Sequence, residues 1–233
     1  MNAALQNITV ATTGASGSIF LRELLRLLEA DRRVQTVNFI ASDNALRVMA
    51  EELGIRGRRD LVAQLLGKPG PTFAKSGQMW GTVNPRPTSA KSGQMWGTSK
   101  ASKKIQQQNN DDIGANVASG SYPTDAMIVI PCSMGTLAKI ANGLATQLIE
   151  RAADVCLKER RPLVLCVRES PLNKIHLRNL YRAADAGATI FPLIPTFYNH
   201  PATVDDMARQ FAARVLAFLG LPQDGAFLWK GDR

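Results

Sequence analysis

Three short stretches of this chain hold residue types whose spacing would serve chemistry. The first is T-G-A-S-G-S, Thr13 to Ser18, which follows a run of β-branched residues. Glycines at 14 and 17 permit a tight turn, and the backbone N–H groups then open onto a helix start, a natural place for a phosphate. The spacing is neither the dinucleotide fingerprint nor a Walker loop, so a plain strand-to-helix turn accounts for it equally well. The second is P-C-S-M-G-T-L-A, Pro131 to Ala138, where Ser133 and Thr136 offer hydroxyls at another helix start. Thr136 would also serve there as an ordinary N-cap. A small polar turn, A-S-G-S at Ala118–Ser121, lies just upstream. The third stretch is charged: I-E-R-A-A-D-V-C-L-K-E-R-R puts Arg151 and Lys158 seven residues apart, nearly on one helix face. The strand after it ends in V-R-E-S-P-L and delivers Arg168 and Glu169. Arg151, Lys158 and Arg168 together would make an anion clamp. Surface pairing with Glu150, Asp154 and Glu159 is the competing account, and the favoured one for an isolated helix.

These residues need elements to hold them. Strands are expected at Ile8–Thr12, Val34–Ala41, Ala126–Pro131, Leu163–Val167 and Thr189–Leu193. Helices are expected at about Ile19–Ala30, Asn44–Leu53, from about Asp111, and at Gly135–Ala145, Gln147–Glu159, Leu172–Ala184 and Thr203–Leu219. Short β-branched runs alternating with amphipathic helices predict parallel β-α-β units. Strands such as Met127–Ile130 are apolar on both faces, as a sheet covered by helices on each side requires. In such a sheet ligands bind beyond the carboxyl ends of the strands, where strand order reverses, and all three stretches fall at strand ends.

The composition, 45% hydrophobic and 20% charged over 233 residues, fits one globular α/β domain spanning 1–233. A low-complexity insert at 67–110 interrupts it and is expected to be flexible. Within the insert A-K-S-G-Q-M-W-G-T occurs twice, at Ala74–Thr82 and Ala90–Thr98, an identity that points to a local duplication and is too short for a solenoid unit. Trp80 and Trp96 in the repeats would pack on a neighbour or a ligand if the insert were ordered. The insert carries seven of the nine net positive charges and no acid, so the rest of the chain is close to neutral. A nucleic-acid partner is therefore not expected. Three cysteines (Cys132, Cys156, Cys166) without a C-x-x-C pair, and two distant histidines (His176, His200), predict neither a disulfide framework nor a metal site. No apolar run approaches the roughly 20 residues that span a bilayer, and no secretory leader is expected, which predicts a cytoplasmic protein without a membrane partner.

Taken in order, T-G-A-S-G-S, A-S-G-S, P-C-S-M-G-T-L-A, R-A-A-D-V-C-L-K-E-R-R-P-L-V-L, R-E-S-P-L and P-T-F-Y-N-H-P resemble the successive motifs of the UbiX-type flavin prenyltransferases, over residues 7–66 and 111–230. The resemblance implies a flavodoxin-like, doubly wound parallel sheet in three α/β/α layers and a trimer-based homododecamer. It implies transfer of a dimethylallyl group from dimethylallyl phosphate to reduced FMN, at N5 and C6, giving prenylated FMN for a UbiD-type decarboxylase. By position, Gly14, Ala15, Ser16, Ser42, Ser133, Met134, Gly135, Thr136 and Arg168 would hold FMN. Arg151, Lys158, Tyr198 and Arg214 would grip the prenyl phosphate, partly across a subunit boundary. Ser16 and Glu169 would manage protons, and Glu52 and Trp229 match further active-site positions. Gly135 stands where many relatives carry lysine. Metal-free chemistry is expected, since fixed cations can stabilise the departing phosphate. A cysteine decarboxylase of the phosphopantothenoylcysteine type shares the implied fold. It carries P-A-S-A-N-T in place of P-C-S-M-G-T, however, and needs a histidine in the N-terminal half, where this chain has none. A non-catalytic FMN carrier serving a decarboxylase is the other alternative; the joint presence of Arg151, Lys158, Glu169, Tyr198 and Arg214 argues for an enzyme.

Overall fold

Alternation along the strands builds the sheet. Ile8 and Val10 point into one apolar layer and Ala11 into the other; Ile128 and Ile130 oppose Met127 and Val129 in the same way. These two strands are thus buried on both faces, as a parallel sheet sandwiched by helices requires. The computed structural model describes residues 5–55, 57–67 and 102–227. Its strands are β1 (Asn7–Thr12), β2 (Thr36–Ala41), β3 (Ile105–Gln108), β4 (Ala126–Cys132), β5 (Leu163–Val167) and β6 (Thr189–Ile190). They form one parallel sheet in the order β3-β2-β1-β4-β5-β6. The helices are α1 (Ser18–Ala30), α2 (Asp43–Leu53), α3 (Leu61–Leu66), α4 (Met134–Ala141), α5 (Leu148–Lys158), α6 (Lys174–Asp185) and α7 (Val204–Phe218). Side chains of α1, α2, α3 and α7 fill one layer, and those of α4, α5 and α6 the other. Strand order reverses between β1 and β4. No helix among the described residues is long and apolar enough to cross a membrane.

Several elements depart from the sequence expectation for local reasons. The last residues of the expected insert supply an edge strand, β3, because Ile105 is an apolar anchor in a polar run and pairs with Val37 on β2. The helix expected from about Asp111 is reduced to a single 3-10 turn at Asn116–Ala118, since Asp112 accepts the Gly114 N–H and folds the chain into a turn first. α4 ends four residues early at Asn142–Gly143, where Gly143 takes φ 68°. α3, between α2 and the insert, was not expected. β6 is short because Pro192 has no N–H, yet Phe191 and Leu193 still donate to Leu165 and Val167 on β5.

The insert's two ends are fastened to the same helix. Arg26 on α1 donates to the Gly67 carbonyl, and Ser102 donates to Glu29 one turn later. The Lys104 ammonium donates to the carbonyls of Leu28, Glu29 and Asp31 at 3.1, 2.8 and 2.9 Å, capping the C-terminus of α1. That end of α1 lies at the amino edge of the sheet, away from the loops that carry the candidate residues. The repeats with Trp80 and Trp96 lie outside the described residues. Replacing residues 69–101 by a short Gly-Ser linker is expected to shift the thermal midpoint by less than about 2 °C. Extending the deletion through 108 removes β3 and is expected to lower it by about 4 °C or more; thermal melts of both variants check this.

Candidate functional site

The carboxyl ends of β1, β4 and β5 are tied into one rim. Thr13 is the first tie: its N–H and its hydroxyl both donate to the Pro131 carbonyl at 3.1 Å, and the hydroxyl accepts the Ser133 N–H at 2.8 Å. Arg168 is the second, its N–H donating to Cys132 O at 3.2 Å and its Nε to Ser16 O at 3.4 Å. Two glycines permit the close approach. A Cβ at Gly14 would stand 2.5 Å from Asn44 Cβ, and one at Gly17, where φ is 120°, would stand 2.7 Å from Leu193. The loops after β1, β2, β5 and β6 therefore press together around residues 14–17.

Helix N-termini face this rim. Ser42 caps α2 by accepting the Ala45 N–H, and Ser133 caps α4 by accepting the Thr136 N–H. Thr136 is thus not the cap; it accepts the Ser133 hydroxyl at 3.2 Å. α1 has glycine at its N-cap and no side-chain cap of its own. Glu52, reaching from α2, supplies one: its carboxylate accepts the N–H of Gly17 at 3.0 Å and that of Ser18 at 2.7 Å. This revises the expected phosphate cradle at the start of α1, because those two amides are already taken by an anion. Burial pushes the Glu52 carboxyl up, but hydrogen bonds from Ser16, Ser18 and Gly17 outweigh it and leave it below its ordinary value.

A cleft of about 220 Å³ opens between these loops, lined by Thr13, Gly14, Ser42, Ser133, Gly135 and Thr136 among others. It lies where strand order reverses. Asn110, Lys139 and Glu150 also line it and were not singled out from sequence. Asn110 fell inside the expected insert, yet it is buried and receives the Leu148 and Ile149 N–H groups at the start of α5. Lys139 and Glu150 pair at 3.1 Å from different helices, a contact that no sequence spacing reveals. A larger hollow of about 590 Å³ sits at the opposite, amino edge beside Arg160, Arg161 and Phe218, and holds none of the expected site residues. Burial pushes the thiols of Cys132 and Cys156 up to about 12 and that of Cys166 well above the ordinary thiol value, so Cys132 is no nucleophile at neutral pH despite its place in the rim.

Of the expected residues, the structure gathers Gly14, Ala15, Ser16, Ser42, Ser133, Met134, Gly135, Thr136 and Arg168 at this edge, with Glu169 exposed beside Arg168. The expected phosphate clamp is not gathered within one chain. Arg151 on α5 bonds Asp154 at 2.8 Å and the Ala118 carbonyl at 3.2 Å, and Lys158 pairs with Glu159, as the surface-pairing account anticipated. Arg214 is on α7, across the sheet from α5, and is exposed. Tyr198 stands in the loop after β6, its ring 5.2 Å from that of Phe227. Trp229 lies outside the described residues. Among the described residues no group of three or more His, Cys, Asp or Glu side chains is placed to hold a metal ion.

The Glu52 cap has a pH signature. A carboxyl held below its ordinary value contributes stability above the ordinary carboxylate range and loses it as pH falls through the folded value. Glu52→Gln is expected to cost about 1 kcal/mol near pH 7, with the variants converging near pH 3; urea unfolding at both pH values measures the difference.

Comparison with known proteins agrees with the geometry. Residues 2–212 match the family model described as Flavoprotein. The flavin prenyltransferase UbiX of Pseudomonas aeruginosa is 40% identical over 224 residues, covering 96% of this chain and 94% of the relative. That of Methanocaldococcus jannaschii is 37% identical, covering 92% and 93%. AnUbiX, crystallised in complex with FMN and dimethylallyl pyrophosphate, superposes with a TM-score of 0.75 at 32% identity, over 98% of this chain and 99% of that one. A dodecameric FMN-dependent UbiX-like decarboxylase from Escherichia coli O157:H7 also gives 0.75, at 35% identity over 97% and 100%. A PPC decarboxylase, at 14% identity and a TM-score of 0.54, shares the fold alone. With that fold, that rim of loops and these relatives along nearly its whole length, the chain belongs to the Flavoprotein family and, within it, to the UbiX flavin prenyltransferases.

Proposed function

We propose that this chain joins the dimethylallyl group of dimethylallyl phosphate to reduced FMN, at N5 and C6, and that a UbiD-type decarboxylase in the cytoplasm consumes the prenylated FMN. One observation carries the reading: the loops after β1, β4 and β5 are bonded into a single rim at the strand-order reversal, with Ser16, Arg168 and Glu169 together on it. The cleft of about 220 Å³ is below the roughly 300–1,000 Å³ of a typical ligand pocket. The rest of an FMN would lie over the exposed Gly14, Ser16 and Gly135. Gly135, with no neighbour within 4 Å of its Cβ position, leaves room there. When bound, reduced FMN supplies the nucleophilic ring atoms.

The chain's own residues do the remaining work. Ser42, Ser133 and Thr136 hold the cofactor's polar edge, and Arg168, fixed through Ser16 O and Cys132 O, sets a cation at its side. Breaking the allylic C–O bond leaves the electron pair on phosphate, which fixed positive charge stabilises. Arg151, Lys158, Tyr198 and Arg214 supply that charge and hydrogen bonding, while Glu169 and Ser16 carry a proton between the flavin and the leaving phosphate. Because α5 and α7 cover opposite faces of the sheet, this clamp is completed between chains of a trimer-based homododecamer. Two observations support assembly. The 35%-identical relative is dodecameric, and on α6 and the loop before it Leu172, Ile175, Leu177 and Tyr181 are exposed while Asn179 is buried.

Incubation with reduced FMN and either dimethylallyl phosphate or the pyrophosphate is expected to give a flavin heavier by one dimethylallyl unit, with the monophosphate preferred. Absence of any adduct by mass spectrometry overturns the reading. Glu169→Gln is expected to slow turnover by about 100-fold with FMN affinity retained. Arg151→Ala and Arg214→Ala are each expected to abolish turnover, and oligomers mixing the two variants to regain part of it. No recovery in verified mixed oligomers would place the two side chains on the same chain's site.

A further inference from the structure

The cleft at the strand-order reversal has one charged pair in its lining, and the two members are not equivalent. Glu150 is buried, with 4% of its side chain exposed, and both of its oxygens are committed. Oε2 accepts the Gln147 N–H at 2.9 Å, and Oε1 accepts the Lys139 ammonium at 3.1 Å. Lys139 keeps 39% of its side chain exposed and spends one of its three donors on that contact. Among the described residues that line the cleft, Lys139 is the one cation and Glu150 the one anion.

The two helix starts beside the cleft differ as well. At α5 the amides are spent: Gln147 N–H on Glu150, Leu148 N–H on the Asn110 carbonyl at 2.8 Å, and Ile149 N–H on the Asn110 side chain at 3.1 Å. At α4 the Ser133 hydroxyl takes the Thr136 N–H and Ser133 O takes the Leu137 N–H, which leaves the amides of Met134 and Gly135. An anion in the cleft is therefore directed to the start of α4. That terminus offers about half a positive charge, whereas a phosphate monoester carries about 1.5 to 2 negative charges at pH 7. A full cation is needed beside it. Lys139 lines the same cleft one turn along α4 from Gly135, and helical side chains lean back toward the N-terminus. Gly135 has no neighbour within 4 Å of its Cβ position, so the turn between them is open. We propose that Lys139 binds the phosphate of FMN, keeping one N–H on Glu150 and turning the others to the phosphate oxygens at the start of α4. The inference rests on the reading of this cleft as the flavin site. It makes Lys139 the residue that selects FMN over riboflavin, with Glu150 holding the ammonium in place.

Titration of the full chain, freed of flavin, with FMN and with riboflavin tests it, binding being read from flavin fluorescence. The unaltered chain is expected to bind FMN at least about ten-fold more tightly than riboflavin. Lys139→Met keeps the apolar stem and removes the ammonium. It is expected to raise Kd for FMN about ten- to a hundred-fold, the scale of a lost charge-assisted contact, and Kd for riboflavin less than about two-fold. Lys139→Arg keeps a cation and is expected to stay within about three-fold of the unaltered chain for both flavins. Because Lys139→Met leaves Glu150 buried without its partner, Lys139→Met/Glu150→Gln removes both charges together. The double variant is expected to recover the thermal midpoint and still bind FMN at least about five-fold more weakly than the unaltered chain. FMN binding by the double variant at full strength would reduce Lys139 to a neutraliser of Glu150 and overturn the inference. Equal losses of FMN and riboflavin affinity in Lys139→Met would overturn it too, as the mark of a structural brace. An unaltered chain that binds neither flavin overturns the reading of the cleft itself.

Discussion

A helix that begins on glycine cannot satisfy its own first amides, and the site depends on how this chain meets that need. The carboxylate of Glu52 receives the Gly17 and Ser18 N–H groups, and its position depends on α2 approaching close enough for Gly14 to touch Asn44. One buried-side anion thereby sets the distance between α1 and α2, the path of residues 14–17, and the presentation of Ser16 at the rim. It also removes the most obvious anion site of the fold. An anionic ligand is left the α4 terminus and the hydroxyls of Ser133 and Thr136, which explains why the cleft lies toward β4 and not directly over α1.

The same economy governs the other side of the rim. Thr13 is buried and uses both its backbone and its hydroxyl on the β4 loop, so the two loops flanking the strand-order reversal are bonded to each other. Arg168 extends that link to β5 through contacts with Cys132 and Ser16. Its backbone is held to the β4 loop and its guanidinium to the β1 loop, which keeps the charge at the rim beside the proposed cofactor site. Glu169, one residue on, inherits the position without sharing the constraint and is exposed.

Much of this was legible in the sequence because period and turn chemistry are local. Apolar strands such as Met127–Ile130 announced a doubly covered sheet, and T-G-A-S-G-S and P-C-S-M-G-T marked two of the loops that form the rim. What stayed hidden depends on contacts between distant segments. β3 reads as part of a low-complexity run, since Ile105 is its one apolar residue and edge pairing with β2 supplies the rest of its stability. Asn110 looks like a solvated loop residue until it is found receiving two amides of α5. Glu52 matched an active-site position by resemblance, but its work as the cap of a helix 34 residues away follows only from coordinates.

The placement of the cations carries the largest consequence. Arg151 and Lys158 already have partners on or beside α5, and Arg214 is on the far side of the sheet, so these three cations are not gathered within a single chain. Gathering three such charges on one surface would raise its energy through mutual repulsion in the absence of a phosphate, most of all where water is excluded. Dividing them between faces lets each chain fold with its cations solvated or paired. In the proposed assembly the repulsion would arise only where chains meet, and burial of exposed apolar surface such as that on α6 would offset it. In the assembly proposed above, the clamp and the interface would be one device: the contact that brings the cations together would also close them off from water, so that their field acts at full strength on a bound phosphate.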